Sequence, residues 1–290
     1  MKIPMSGRFF KSTDDGDLMK KAGNILVYCL LGVLALSMLI PFLWMLSTSL
    51  MDELEVYQFP PRFIPAAWKW ANFSEAMTLQ PFARFFLNTM IVAAASVIGQ
   101  LTFCSMAAYA FARLQFRWRE KIFALYLGTM MIPAIVTIIP AFLIITTFGW
   151  MNTYWALFTP TISSVWGIFL LRQFFLTIPR DLEDAARVDG ASEFTIFLRV
   201  ILPLSKPALA TLAIFAFMGS WKDFLWPLIV TNRVDMRTVE VGIANFSNLY
   251  TTDWPHQMAA AVVVMVPIVI VFMIAQRYFV KGITMTGLKG

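Results

Sequence analysis

A stretch of 50 residues, Ile122–Leu171, contains no Asp, Glu, Lys or Arg. A surface that faces water is not built from so long an uncharged segment. An α-helix needs only about 20 apolar residues to cross a hydrocarbon core about 30 Å thick. The stretch therefore suits two membrane-spanning helices joined by a tight turn. The turn is expected at Gly149–Thr153, GWMNT, because Gly and Asn tolerate positive φ. Three more uncharged runs each suit one span: Ala22–Met51 with 30 residues, Phe85–Ala112 with 28 and Trp254–Gln276 with 23. Pro207–Val230 is apolar except for Lys222 and Asp223 and supplies the remaining candidate. The expected architecture is all-α, a polytopic bundle of six transmembrane helices.

Composition agrees. A soluble chain of 290 residues would form about two domains. Only 14% of these residues are charged, against about 25% in ordinary globular chains, and mean hydropathy is +0.70. With 27 Phe and 10 Trp, disorder is excluded as well. The net charge of +6 and the pI near 9.4 would suit a nucleic-acid partner. A topology with the N-terminus inside explains the charge without one. It places seventeen basic residues on the inner side and five, Arg62, Lys69, Arg84, Arg233 and Arg237, on the outer side, with Lys222 inside a span. Basic residues accumulate on cytoplasmic loops, so both termini are expected in the cytoplasm. The first apolar run exceeds the 7–15 residues of a signal h-region and lacks an A-x-A-like cleavage site, so it reads as a retained helix. The organisation expected is a cytoplasmic segment 1–23, a six-helix domain 24–281 with a long inner loop 172–206, and a cytoplasmic tail 282–290. Prolines 41, 133, 140, 160, 227 and 267 lie in or near spans, where they kink helices.

Cys29 and Cys104 sit inside apolar runs and read as small hydrophobes. One His and two Cys do not make a metal site. His256 falls at the outer mouth of the last helix and reads as an interfacial residue. There is no G-x-x-x-x-G-K-[ST], the loop that cradles nucleotide phosphates, and no nucleophile–base pattern. An enzyme is not expected.

The loop 172–206 is no plain linker. Pro179 stops the preceding segment, and Asp181 can cap a new helix with Glu183 and Asp184 in its first turn. Ala185 and Ala186 favour helix and keep its surface smooth, and Gly190 is suited to a left-handed C-terminus. A second amphipathic piece, Ser192–Val200, carries Phe194, Phe197 and Leu198 at helical spacing. Such a short helix either lies on lipid headgroups or docks in a cleft of a soluble partner.

The stretch EDAARVDGAS, Glu183–Ser192, followed by VILPLSKPAL, Val200–Leu209, closely resembles the EAA loop of binding-protein-dependent ABC importer permeases. The pattern of Glu-Ala-Ala, three residues, Gly, nine residues, an aliphatic residue, any residue and Leu-Pro falls on Asp184-Ala185-Ala186, Gly190, Val200 and Leu202-Pro203. Asp184 replaces the usual Glu, keeping the charge on a shorter side chain. FPPRFIP at Phe59–Pro65 with WANFSEA at Trp70–Ala76, and the ending QRYFVKGITMTGLKG at Gln276–Gly290, are similar to carbohydrate-importer permeases of the maltose-system type. The resemblance implies the type I importer permease fold. It also implies a second homologous permease subunit making a heterodimer, an ABC ATPase dimer that binds ATP and Mg, and an extracytoplasmic solute-binding protein. The location implied is the bacterial inner membrane. Glu183, Asp184, Ala185, Ala186, Asp189 and Gly190 would couple to the ATPase, and Gly287, Leu288, Lys289 and Gly290 would reach between its subunits.

For the substrate pathway, Lys222 and Asp223 either face a cavity or lie near the outer interface and snorkel. Trp44, Trp68, Trp70, Trp118, Trp150 and Trp254 suit aromatic belts at span ends, whereas Trp166 and Trp221 lie deeper and are the pathway candidates. A self-sufficient secondary transporter or channel would need midplane ion-coupling residues and usually inverted repeats, and neither is seen.

Overall fold

The computed structural model describes residues 14–248 and 250–286. Its long helices are α1 (Asp14–Thr48), α3 (Phe82–Arg113) and α13 (Trp254–Thr286), and a short α2 (Ala71–Leu79) precedes α3. Between α3 and α13 come α4 (Arg119–Gly128), α5 (Ala134–Thr147), α6 (Tyr154–Phe158) and α7 (Val165–Thr177). They are followed by α8 (Asp181–Val188), α9 (Glu193–Ile196), α10 (Lys206–Trp221), α11 (Leu225–Val230) and α12 (Val239–Ala244).

Among the described residues three helices are long and apolar enough to cross a membrane, and six spans result if each of three bent pairs is one. The bends follow from sequence. Pro133 stands at the 99° break between α4 and α5, and Pro160 lies where α6 turns 42° into α7. Pro203 and Pro207 flank the 80° break before α10. A proline removes one backbone donor and crowds the preceding turn, so a helix yields there. The Gly149–Thr153 turn is present, with Gly149 at φ 68° and Asn152 at φ 58°. The Asn152 carboxamide oxygen accepts from the amides of Asn232 and Arg233, fixing this turn to the α11–α12 connection.

The fifth span departs from expectation. Pro207–Val230 is not one helix: α10 ends at Trp221, the chain breaks at Lys222–Phe224, and α11 follows. The reason is local, because the Asp223 carboxylate accepts from the Trp226 amide and so competes with helical hydrogen bonding.

The bundle closes around α3, which packs on α7 and α10. One core at the end carrying most basic residues, here the basic end, joins Cys104, Ala108, Phe175, Ile196, Ile201 and Leu212. Another, at the opposite end, joins Phe82, Phe85, Trp221, Val239, Ala260 and Val264. Between them runs a neutral polar seam. The Ser96 and Thr161 hydroxyls lie 2.6 Å apart, Gln100 donates to the Thr161 carbonyl at 2.9 Å, and Ser164 donates to the Gln100 side-chain oxygen at 3.1 Å. Helix α1 stands apart, touching chiefly α13 and leaving most of its apolar side chains exposed.

Candidate coupling site at the basic end

The loop between α7 and α10 forms a helical hairpin. Acidic Asp181, Glu183 and Asp184 occupy the first turn of α8, at the positive end of its dipole. Arg180, in helical conformation and without a side-chain cap, precedes that turn, so Asp181 lies inside the helix and does not cap it. Gly190 ends α8 at φ 81°. The Gly190 amide bonds to the Arg187 carbonyl and the Ala191 amide to the Ala186 carbonyl, the paired closure that requires a left-handed residue. A Cβ on Gly190 would meet nothing within 4 Å, so backbone conformation, not space, selects glycine there. Ser192 then caps α9 by accepting from the Thr195 amide. Phe197–Ile201 continues as a π-helical turn that buries Ile196, Phe197 and Ile201 and leaves Phe194 and Leu198 exposed.

The hairpin is bolted to α3. Glu183 Oε1 lies 2.6 Å from Arg113 Nε, with both side chains almost wholly buried. Arg113, the last residue of α3, also donates to the Ile178 carbonyl at 2.7 Å. Arg187 holds the two arms together: it reaches Asp184 at 2.7 Å, Glu193 at 2.8 Å and Glu183 at 3.6 Å. Tyr109 of α3 donates to the other oxygen of Glu193 at 2.7 Å. Burial pushes the Glu183 carboxyl above its ordinary range, and Arg113 and Arg187 oppose that shift. The hydrogen bond to Glu193 holds the Arg187 guanidinium still more firmly protonated than usual. Truncating one member of a buried ion pair leaves an uncompensated charge, at a cost of about 3–5 kcal/mol. The buried pair therefore fastens the start of the hairpin to the end of α3.

The outward side of α8 is bare. Asp184, Ala185, Val188, Asp189 and Gly190 are exposed, Val188 at 88%. Ala186 is turned partly inward against the core, so the two alanines differ: Ala185 is surface and Ala186 is packing. Glu183 is the inward anchor and is not part of the outward surface. No pattern along the chain pointed to Arg113, Tyr109 or Glu193 as parts of this anchorage. Arg113 read only as one more basic residue at a span end, and nothing in spacing links it to a carboxylate far along the chain. Gly287, Leu288, Lys289 and Gly290 lie outside the described residues, as does the segment before Asp14.

The four pathway residues separate. Trp166 is 36% exposed, meets Phe215 edge-on at 4.9 Å, and lines a cleft of about 430 Å³ with Gln100, Thr161, Ser164 and Ser220. Trp221 is 0% exposed, donates to the Val264 carbonyl at 3.2 Å and packs on Phe86 and Phe217. It is a core strut, because α10 turns it toward α13 and away from the cleft. Lys222 is exposed at the end of α10 and lines a different cavity, of about 470 Å³, with Glu240 and apolar residues of α1 and α13. Asp223 is occupied in initiating α11. His256 is more than an interfacial ring: it lies 2.6 Å from Asp253 and 3.0 Å from Glu75, clasping α2 to α13. No cluster of metal-ligating side chains occurs among the described residues.

The described residues thus form an all-helical membrane subunit with a charge-paired helical hairpin at one end. Residues 100–285 match the family described as "Binding-protein-dependent transport system inner membrane component". The chain belongs to that family, the inner-membrane permeases of binding-protein-dependent ABC transporters. It is 39% identical over 206 residues to the arabinooligosaccharides transport system permease protein AraQ of Halalkalibacterium halodurans, covering 71% of this chain and 74% of that one. It is 34% identical over 265 residues to the sn-glycerol-3-phosphate transport system permease protein UgpE of Pectobacterium atrosepticum, covering 89% and 94%. The probable ABC transporter permease protein YurM of Bacillus subtilis is 31% identical over 270 residues, covering 92% and 89%. The fold matches a chain of the crystal structure of a bacterial ABC transporter involved in the import of the acidic polysaccharide alginate. That match has a TM-score of 0.78 at 24% identity and covers 96% of this chain and all of that one. The chain is thus a non-catalytic, multi-pass inner-membrane component, and the family implies ATPase and binding-protein partners.

Proposed function

We propose that this chain forms half of the translocation pathway of a bacterial carbohydrate importer of the maltose-system type, and that α8 is the joint through which a separate ATPase moves it. One observation carries the reading: the hairpin is rigidly tied to α3 by Glu183 and Arg113 on its inner side, while Asp184, Ala185, Val188, Asp189 and Gly190 are left bare on its outer side. A lever needs both a fixed and a free face. The basic end faces the cytoplasm, with both termini, in keeping with the distribution of basic residues. A second, homologous permease completes the pathway as a heterodimer. The ATPase dimer binds ATP and Mg, and the solute-binding protein docks at the opposite end. Gly287–Gly290 contact the ATPase.

The polar cleft beside Trp166 supports an uncharged sugar as substrate, since its lining offers hydroxyls, an amide and an aromatic face and no ionisable group. Polar groups at membrane depth are accommodated where they meet protein or water, not lipid. Names among the relatives span oligosaccharide and glycerol phosphate, so uptake decides. Cells expressing the complete system are expected to take up labelled neutral oligosaccharide and not sn-glycerol-3-phosphate; the reverse preference defeats the substrate assignment. For the joint, Ala185→Cys is expected to form a crosslink to the ATPase subunit in membranes. If the introduced thiol is instead shielded by lipid and crosslinks to no ATPase, the coupling role fails.

A further inference from the structure

We propose that the cleft between the α3–α4 connection and the start of α8 binds the phosphodiester of an anionic membrane lipid. The proposal rests on the orientation given above, with this end at the cytoplasmic surface. The cleft encloses about 540 Å³ and is lined by Phe116, Arg117, Trp118, Lys121 and Arg180 among others. Its neighbouring charges are already satisfied. Arg119 is paired with Glu120 at 3.0 Å, and Glu120, the one carboxylate in the lining, also holds Arg172 at 2.9 Å. No ion pair among the described residues engages Arg117, Lys121 or Arg180. Arg117, Lys121 and Arg180 thus line one cleft whose single carboxylate, Glu120, is already shared between Arg119 and Arg172.

Two further features point to an anion with an acyl chain. No side chain caps α4, and Trp118, the residue just before it, is in left-handed conformation, so the positive end of the dipole, with Glu120 in its first turn, lies beside the same cations. Arg117 and Lys121 flank the Trp118 ring at 5.5 Å and 4.7 Å, which holds both cations at the rim of the cleft. From that rim Trp118, Ile122 and Leu125 recur at helical spacing and are all exposed, Leu125 at 76%. A cationic head leading into an apolar stripe matches a phospholipid. A free phosphate has no use for the stripe, whereas an acyl chain would lie along it. Arg180 immediately precedes α8, so a lipid held here steadies the hairpin where it leaves the bundle.

The test uses the complete transporter reconstituted in discs of phosphatidylcholine, with or without phosphatidylglycerol. Retained phosphatidylglycerol is measured by mass spectrometry after washing in neutral lipid. Wild type is expected to retain it, and Arg117→Gln/Lys121→Gln to bind it about 25-fold more weakly, about fivefold for each charge removed near a membrane surface. Arg180→Gln alone should give the fivefold step. Equal retention by wild type and the double variant overturns the proposal. So does inorganic phosphate displacing the retained phosphatidylglycerol as effectively as added phosphatidylglycerol, which makes the ligand a free anion. ATPase association lost in the double variant with lipid retention unchanged also overturns it, because the cations then serve the partner protein. Copurification of the ATPase with wild type is scored separately. Its absence would defeat the transporter reading, while lipid retention is still read on this chain.

Discussion

At the basic end, Glu183 and Arg113 meet with side chains 2% and 3% exposed; at the opposite end, Arg233 and Asp235 meet at 2.8 Å with side chains 64% and 47% exposed. The pairs use the same chemistry with different consequences. Water screens the outer pair, so holding it together contributes little beyond what each group gains from solvent. The inner pair has lost its solvent, and each charge depends on the other. Losing the outer pair should therefore change little, since the same segment is also held by Asn152 and Asn88. Shifting the hairpin away from α3 would expose or strand the buried charges of Glu183 and Arg113.

Breaking the inner pair should have the largest effect. Arg113→Met leaves the buried Glu183 with only Arg187, 3.6 Å away, and is expected to lower stability by about 3 kcal/mol, read as the unfolding midpoint of the purified complex. Adding Glu183→Leu to that variant should recover most of the loss, since an apolar pair of similar volume often packs as well. The ratio of ATP hydrolysed to sugar transported should still rise, because α8 is no longer fastened by charge. If Arg113→Met is as mild as an outer-loop change, the asymmetry is wrong.

Next come the two tryptophans. Trp221→Ala empties a core site and should cost about 3–5 kcal/mol. Trp166→Ala, on the cleft wall, should slow uptake while leaving the unfolding midpoint nearly unchanged. Equal destabilisation by both would remove the distinction between strut and lining. A smaller effect is expected at the hairpin tip: Gly190→Ala forces a Cβ into left-handed backbone, at about 1–2 kcal/mol, and should weaken ATPase association in pull-downs. The smallest belongs to the outer pair, where Arg233→Ala should shift stability by less than about 1 kcal/mol and leave the ATPase ratio unchanged.

Much of the architecture was legible because membrane burial writes itself in long uncharged runs. The 50-residue run does hold two bent helix pairs, each apolar and long enough for a span when taken as one, and its turn falls at Gly149 and Asn152, both at positive φ. The helix over Asp181–Val188 and its termination at Gly190 were equally plain, since both depend on neighbours in sequence. The fifth span was misread because hydropathy averages over residues and does not see the Asp223 carboxylate competing for the Trp226 amide. Trp221 was misassigned for a related reason: depth along a helix is set by sequence, but the direction a side chain faces depends on which helix packs beside it.

Composition and local chemistry thus determined the class of the chain: membrane helices, up to six spans, breaks at Pro133 and Pro160, and a short helix ending at Gly190 in a basic loop, whereas Pro41, Pro140, Pro227 and Pro267 lie inside unbroken helices. Only the tertiary structure decided which face of that hairpin is anchored and which is free, and that Arg113 and Glu183 are partners. Hydrophobic burial and helix capping act over a few residues and leave periodic traces. A buried ion pair between distant segments exists only once packing has excluded the water between them.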